Sequence, residues 1–382
     1  MKEYPAISTI IKPNEYIKSQ RQKYTIKEVL NNGMSITYLA NNKDNFEVII
    51  KQFKQKDKKF KDNQKIIFKT LRNIEKKDKN FSFLIEHLFE QFEFKNYFFE
   101  VKKKIVGENL ETLLWQRNLS LKDRISIAVN IVKTIAILHK HNVIHTDLKL
   151  EQFMITKTKN NYNTVLIDFN NCIIEDKLYL PAGTNGWKSP EHIQKQKITK
   201  KSDIFTLGQI IYTLITKRQP FHTAIENNRY EEAILNKEFY EITALNQKFP
   251  KNVSDIISHC LDPDATKRPN IWKLFDTLID TFFPKNQPYI KFKNKKLYIR
   301  LPFVYTSKKA KFFYHSNFIY DKHFKIYKKN NRFFIQNYFI PKEANGKKYF
   351  PAFLNNRSFR ESELKNGDII QIGKLKYQFF ER

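Results

Sequence analysis

Val143-Ile144-His145-Thr146-Asp147-Leu148-Lys149 is the stretch on which the reading of this chain turns. Its acid and its lysine stand two residues apart, and alternate residues of an extended segment face the same way. A carboxylate so placed can accept a hydroxyl proton while the ammonium beside it steadies a phosphoryl group. About ninety residues earlier, Val48-Ile49-Ile50-Lys51 is a short apolar strand ending in a cation suited to α- and β-phosphates. Downstream, Val165-Leu166-Ile167-Asp168-Phe169-Asn170 is an apolar strand closing on an Asp that can hold magnesium. Singly, Lys51 is one lysine among many and Asp168 reads as a turn residue. In this order and at these distances, the three point to phosphoryl transfer from ATP.

Around these segments the chain changes character twice. Strand-like runs at Tyr24–Leu30, Ile36–Ala40, Phe46–Phe53, Ser82–Phe92 and Tyr97–Lys103, with a helical pattern through Ile67, Leu71 and Ile74, predict a small β-rich lobe. Helices are expected at Leu121–His139, Lys201–Thr216, Val253–Leu261 and Ile271–Phe282. Pro284, Asn286 and Pro288 then break the chain, and 289–382 shows short aromatic and β-branched runs between Asn, Gly and Lys turns. The expected organisation is a leader at 1–22 strapped to the first domain, a domain at 23–284 and an all-β domain at 285–382. No internal repeat is visible.

Composition narrows the class. Hydrophobic content of 41% with 15% aromatics is that of a folded chain, and 382 residues suffice for two cores. No apolar run approaches the roughly 20 residues a membrane helix needs, and MKEYPAISTI lacks a secretory core. Cys172 and Cys260 are the only cysteines, which excludes a disulfide framework. A cytoplasmic protein without membrane contact is expected. The net charge of +30 accompanies an excess of Lys, Asn, Ile and Phe, as AT-rich coding gives. Residues 285–382 nevertheless hold 23 Lys/Arg against 6 Asp/Glu. Nucleic acid stays open as a partner of this basic tail, without a motif to support it.

The three segments together resemble the protein-kinase signature set: the third-strand lysine, the His-Arg-Asp catalytic loop and the Asp-Phe-Gly magnesium site. Gly183-Thr184-Asn185-Gly186-Trp187-Lys188-Ser189-Pro190-Glu191 resembles the end of an activation segment, and Ser202-Asp203 the start of the large central helix. The resemblance runs over roughly 23–284 and implies an α+β, bilobal kinase fold that uses ATP and Mg²⁺ or Mn²⁺ on Ser or Thr hydroxyls of proteins. It assigns the catalytic base to Asp147, the γ-phosphate contact to Lys149, the α/β-phosphate contact to Lys51 and a metal ligand to Asp168. Thr184 would belong to the substrate pocket, with Glu191, Asp203 and Arg268 structural, Arg268 pairing with Glu191. Glu100-Val101-Lys102 would be the adenine-binding hinge, preceded by Phe99 as gatekeeper.

Departures from the pattern matter as much. The phosphate loop Leu30-Asn31-Asn32-Gly33-Met34-Ser35 keeps one glycine, Gly33, with Ser35 closing it. Gln64 occupies the place of the helix glutamate that would pair with Lys51. Gln152 replaces the second metal ligand, Asn; Asn170 replaces the Gly of Asp-Phe-Gly; Thr146 replaces the Arg of His-Arg-Asp. The stretch 171–183 contains no Ser or Thr, and Tyr179 is its one hydroxyl. Thr146 and this stretch together predict activity independent of activation-loop phosphorylation. The other departures motivate a rival, a pseudokinase scaffold that binds nucleotide weakly.

Near the end, Lys365-Asn366-Gly367-Asp368-Ile369-Ile370-Gln371-Ile372-Gly373 follows Asp321-Lys322-His323 and Asn355-Asn356. These resemble a forkhead-associated domain, a β-sandwich that reads phosphothreonine through its loops. The resemblance makes His323 and Asn355 the tentative phosphopeptide residues, with Asn345-Gly346 a displaced part of the motif. It implies docking of a phosphothreonine-bearing partner.

Overall fold

Val48 and Ile50 alternate with Ile49 and Lys51, the period-two pattern of a strand whose faces meet different surroundings. A computed structural model of the chain describes residues 10–33, 35–54, 58–77, 81–157, 162–175, 183–283, 289–292, 295–298, 303–305, 324–329, 332–337, 343–344, 347–348, 352–372 and 375–380. The chain divides into two units, Met1–Phe282 and Phe283–Arg382.

The first unit opens with β1 (Tyr16–Lys18), β2 (Lys23–Asn32), β3 (Ser35–Asn41), β4 (Glu47–Phe53), α1 (Lys58–Lys77), β5 (Leu88–Phe94) and β6 (Tyr97–Lys103). The strands form one antiparallel sheet in the order β1-β2-β3-β4-β6-β5. Lys51 lies between Thr37 and Glu100 in register. One face buries Ile17, Tyr24, Ile26, Tyr38, Val48, Ile50, Phe99 and Val101 in a common cluster. The opposite face therefore carries Lys51, Glu100 and Lys102. The leader is not merely strapped on: β1 pairs with β2, and Ile17 is fully buried. The run 82–92 also differs from expectation. Phe81–Phe83 is a 3-10 turn, and Leu84–Glu86 docks on Leu166 through Leu166 N to Leu84 O (2.9 Å) and Glu86 N to Leu166 O (2.8 Å).

Past Gly107 the unit becomes mostly helical. β7 (Glu108–Asn109) leads into α2 (Leu110–Gln116), capped by the Asn109 carboxamide. Helix α3 (Leu121–Lys140), capped by Ser120, buries Ile125, Ile131, Ile135 and Leu138 along one side. Then follow β8 (Val143–Ile144), β9 (Phe153–Lys157), β10 (Tyr162–Leu166), β11 (Ile173–Ile174), α4 (Pro190–Ile193) and the almost wholly buried α5 (Lys200–Thr216). Three short helices, α6 (His222–Glu226), α7 (Tyr230–Leu235) and α8 (Ile242–Leu245), precede α9 (Lys251–Cys260) and α10 (Ile271–Phe282). Gly208 of α5 lets α9 approach closely, since a Cβ there would lie 2.7 Å from the Cys260 Cβ.

Among its described residues, the second unit has strands as its regular structure. β12 (Tyr289–Phe292), β13 (Lys295–Tyr298), β14 (Phe303–Tyr305), β15 (Phe324–Lys329), β16 (Arg332–Asn337), β17 (Glu343–Ala344), β18 (Lys347–Lys348), β19 (Ala352–Leu354), β20 (Arg357–Ser358), β21 (Glu361–Leu364), β22 (Ile369–Ile372) and β23 (Leu375–Phe380) follow in sequence. The larger sheets run β13-β12-β23-β22-β19-β20 and β14-β15-β16-β21. Ile290, Leu354, Ile370 and Phe379 of one share a buried cluster with Phe324, Ile326, Phe333 and Leu364 of the other.

Candidate active site

The loop after β8 is fixed from beneath. The Asp203 carboxylate, at the first turn of α5, accepts from the backbone N–H groups of His145 and Thr146 (both 2.9 Å) and from His139 Nε2 (2.8 Å). Burial pushes this carboxyl up, and the hydrogen bond and charge of His139 outweigh it, so the net shift is downward. Thr146 takes a left-handed φ of +68°, and its hydroxyl donates to Asn171 O at 2.8 Å. The loop thereby turns Asp147 toward the segment at 183–191.

Three side chains converge there. Thr184 Oγ1 donates to Asp147 Oδ1 at 2.6 Å, and Lys149 Nζ reaches Thr184 Oγ1 at 3.4 Å. Asn171 Nδ2 donates to Asp147 Oδ2 at 3.0 Å. Both carboxylate oxygens are thus oriented by neutral donors, leaving Asp147 able to accept a proton from an approaching hydroxyl. Asn171 escaped the sequence reading, because its contact depends on the path the chain takes after Asp168.

Behind this centre, Lys51 Nζ pairs with Asp168 Oδ2 at 2.9 Å. Burial raises the Asp168 carboxyl, yet the ammonium groups of Lys51 and Lys102 bring it well below the usual carboxylate range. Asp168 is therefore a standing anion with a left-handed φ of +68°. The backbone link from Ile167 N to Gln152 O (2.8 Å) ties Gln152 to the strand leading into Asp168. The Oε1 of Gln152 is buried and lacks a hydrogen-bond partner among the described residues. One charged and one neutral oxygen donor suit a hard divalent cation, so the residues present fit magnesium.

Two expectations are corrected. Gln64 does not meet Lys51: its Nε2 donates to Asn170 O at 2.6 Å, and the neighbouring Asn63 Nδ2 to Cys172 O at 3.0 Å. Helix α1 thus grips the backbone after Asp168 instead of the lysine. The proposed hinge is also displaced. β6 continues to Lys103, so the connection to the helical part begins at Lys104. Glu100 and Lys102 project from the strand beside Lys51, and Phe99 faces the cluster on the other side. Gly107, on that connection, packs closely on β9, since an added Cβ would lie 2.7 Å from Ile155 O.

Gly33 directly follows β2, and Ser35 is the first residue of β3; Met34 between them lies outside the described residues. Farther out, Arg268 Nη1 meets Glu191 Oε1 at 2.7 Å, and the guanidinium also donates to the carbonyls of Asp262, Pro263 and Lys201. This buried fork anchors the end of the Thr184 segment. In the second unit, His323 and Asn345-Gly346 lie outside the described residues. Asn355 lies exposed on its turn, where its carboxamide donates to Asp368 Oδ1 (2.8 Å) and accepts from Ile369 N (2.9 Å). That bond pair ties two turns together.

Comparison with known proteins agrees with this geometry. A calcium and calcium/calmodulin-dependent serine/threonine-protein kinase of Pisum sativum is 29% identical over 174 residues, 44% of this chain and 32% of that protein. A calcium/calmodulin-dependent serine/threonine-protein kinase of Malus domestica is 28% identical over 173 residues, covering 44% and 41%. The CaM kinase-like vesicle-associated protein of Homo sapiens is 28% identical over 174 residues, covering 45% and 34%. The chain spans well under half the length of these relatives. Residues 24–278 match the protein kinase domain family. With that span holding Lys51, Asp147, Lys149, Asp168 and Thr184, the chain belongs to the protein kinase family.

Proposed function

We propose that the chain transfers the γ-phosphate of ATP to Ser or Thr hydroxyls of proteins, with magnesium or manganese held by Asp168 and Gln152. The convergence of Asp147, Lys149 and Thr184 carries this reading. Asp147 is oriented to take the hydroxyl proton, Lys149 lies where charge on the transferred group would spread, and Lys51 is ready to exchange Asp168 for phosphate oxygens. The bound metal would neutralise phosphate charge. The Thr146 hydroxyl satisfies Asn171 O where the resemblance has an arginine awaiting a phosphate, which supports activity without activation-loop phosphorylation. Adenine would lie against the connection at 104–107.

The second unit acts, on this reading, as a forkhead-associated-like docking module for phosphothreonine. Its two sheets with a shared core, and the turn at Lys365–Asp368 with Gly367 at φ +91°, support the fold assignment. No described helix is long and apolar enough to cross a membrane.

Intact mass after incubation of wild type, Asp147→Ala and Asp168→Ala with ATP and Mg²⁺ or Mn²⁺ tests the activity. Phosphate added to the wild type alone establishes it. Absence of transfer to itself and to a generic protein substrate, with nucleotide-induced stabilisation retained, establishes the scaffold. The diversion of Gln64 from Lys51 to Asn170 favours that second reading.

A further inference from the structure

Beside Asp168 lies a buried charged cluster of which only Lys102 has had a part so far, in lowering the Asp168 carboxyl. Glu86, Glu100 and Lys102 are between 3% and 5% exposed, and such groups are seldom buried without a specific reason. Lys102 Nζ lies 2.8 Å from Glu86 Oε1 and 3.3 Å from Glu100 Oε2. Gln91 Nε2 donates to the other oxygen of Glu100 at 2.7 Å. The same Oε1 of Glu86 accepts the backbone N–H of Asp168 at 2.9 Å. That N–H belongs to a residue held at positive φ, a conformation a side-chain-bearing residue keeps only when its surroundings impose it.

We propose that Glu86, neutralised by Lys102, is the positioning residue that fixes the backbone of the metal-binding Asp168. Leu84–Glu86 is docked on Leu166, so the carboxylate reaches Asp168 from a rigid neighbour. The segment is then clamped at both ends: Glu86 holds its first amide, and Gln64 and Asn63 hold the carbonyls of Asn170 and Cys172 from α1. The clamp supplies what a helix glutamate paired with Lys51 would otherwise enforce, a fixed relation between the sheet, the helix and the metal aspartate. Lys102 lies between two carboxylates, which hold it charged against the cost of burial. Stability alone does not account for the cluster, because well-packed apolar groups serve as well or better in such places. The role in metal binding rests on the kinase reading; the role in holding Asp168 does not.

The discriminating variant is Glu86→Leu/Glu100→Leu/Lys102→Met, which removes the cluster at similar volume. Its melting temperature is expected at or above that of wild type. Amide hydrogen exchange across 166–173 is expected to accelerate about tenfold or more, as befits loss of a hydrogen bond to a charged group. Glu86→Gln, which keeps an acceptor oxygen, should stay within about threefold of wild type. In parallel, the Mg²⁺ concentration giving half-maximal stabilisation by ATP should rise about tenfold in the triple variant. If the triple variant does not fold, Glu86→Leu/Lys102→Met carries the same comparison. Unchanged exchange at 166–173 in a folded apolar variant overturns the proposal. A wild type that binds no Mg–ATP overturns the kinase reading instead, while the exchange result still decides the role of Glu86.

Discussion

The hydroxyl of Thr184 donates to Oδ1 of Asp147 at 2.6 Å. This bond joins the loop that would take the proton to the segment that would receive the substrate. Thr184→Ser keeps the donor and should retain most phosphate transfer. Thr184→Val keeps the shape without the hydroxyl and should lower kcat about tenfold or more, while Asp147→Asn removes general-base catalysis, worth about 10²–10⁴. Initial-rate measurements on the three variants check the order, and equal rates for Thr184→Val and wild type would remove Thr184 from the site.

Arg268 and Glu191 form a buried pair whose loss should be asymmetric. Arg268→Met leaves Glu191 charged and three carbonyls short of a donor, at a cost of about 3–5 kcal/mol. Arg268→Met/Glu191→Leu should recover part of that loss. Chemical denaturation of the two variants measures the difference, and equal destabilisation would show that the carbonyls matter and the pair does not.

Gly208→Ala should destabilise by about 1–3 kcal/mol, because two packed helices must part to admit one methyl group. The Cys260 Cβ, at 2.7 Å, cannot swing aside as a long side chain could. A neutral result in equilibrium unfolding would mean that α5 and α9 slide freely.

Stability should decline as pH falls below about 6.5. Burial holds the imidazoles of both His145 and His192 below their usual value, so they stay neutral in the fold. The unfolded chain binds protons there first, so the stabilisation is complete above the unfolded value and is lost as pH drops toward the folded ones. A second decline belongs to Asp168 and Asp203, whose folded values are depressed. It begins where unfolded carboxyls protonate, near about 3.9. Denaturation midpoints measured from pH 8 to pH 5 test the first decline, and His192→Gln should flatten it. A profile flat over that range would place both rings in contact with water.

Much of the site was legible because its residues are local in sequence. Asp147 and Lys149 share one loop, Asp168 ends a readable strand, and Thr184 belongs to a short motif. What escaped depends on register and on distant partners. Glu100-Val101-Lys102 was placed on the strand run Tyr97–Lys103, which the structure keeps, and received its hinge role from the resemblance alone. The signal was parity: Glu100 and Lys102 alternate with Phe99 and Val101 along a strand whose neighbour carries Lys51. Gln64 was placed on the right helix but aimed at the wrong group, since its partner, the Asn170 carbonyl, is set by the path of a distant segment. β1 was missed because three residues between polar neighbours show no period. In the second unit the repeated short runs announced strands, while the link from Asn355 to Asp368 and Ile369 emerges only from the structure.

That small strand has a practical side. Kinship with other kinases begins at residue 24, yet the sheet begins eight positions sooner, at Tyr16. Trimming the chain to the shared portion would strip Ile17 from the cluster and leave β2 as a bare edge, inviting intermolecular strand pairing. The stretch that the family match covers leaves out part of the sheet that must fold.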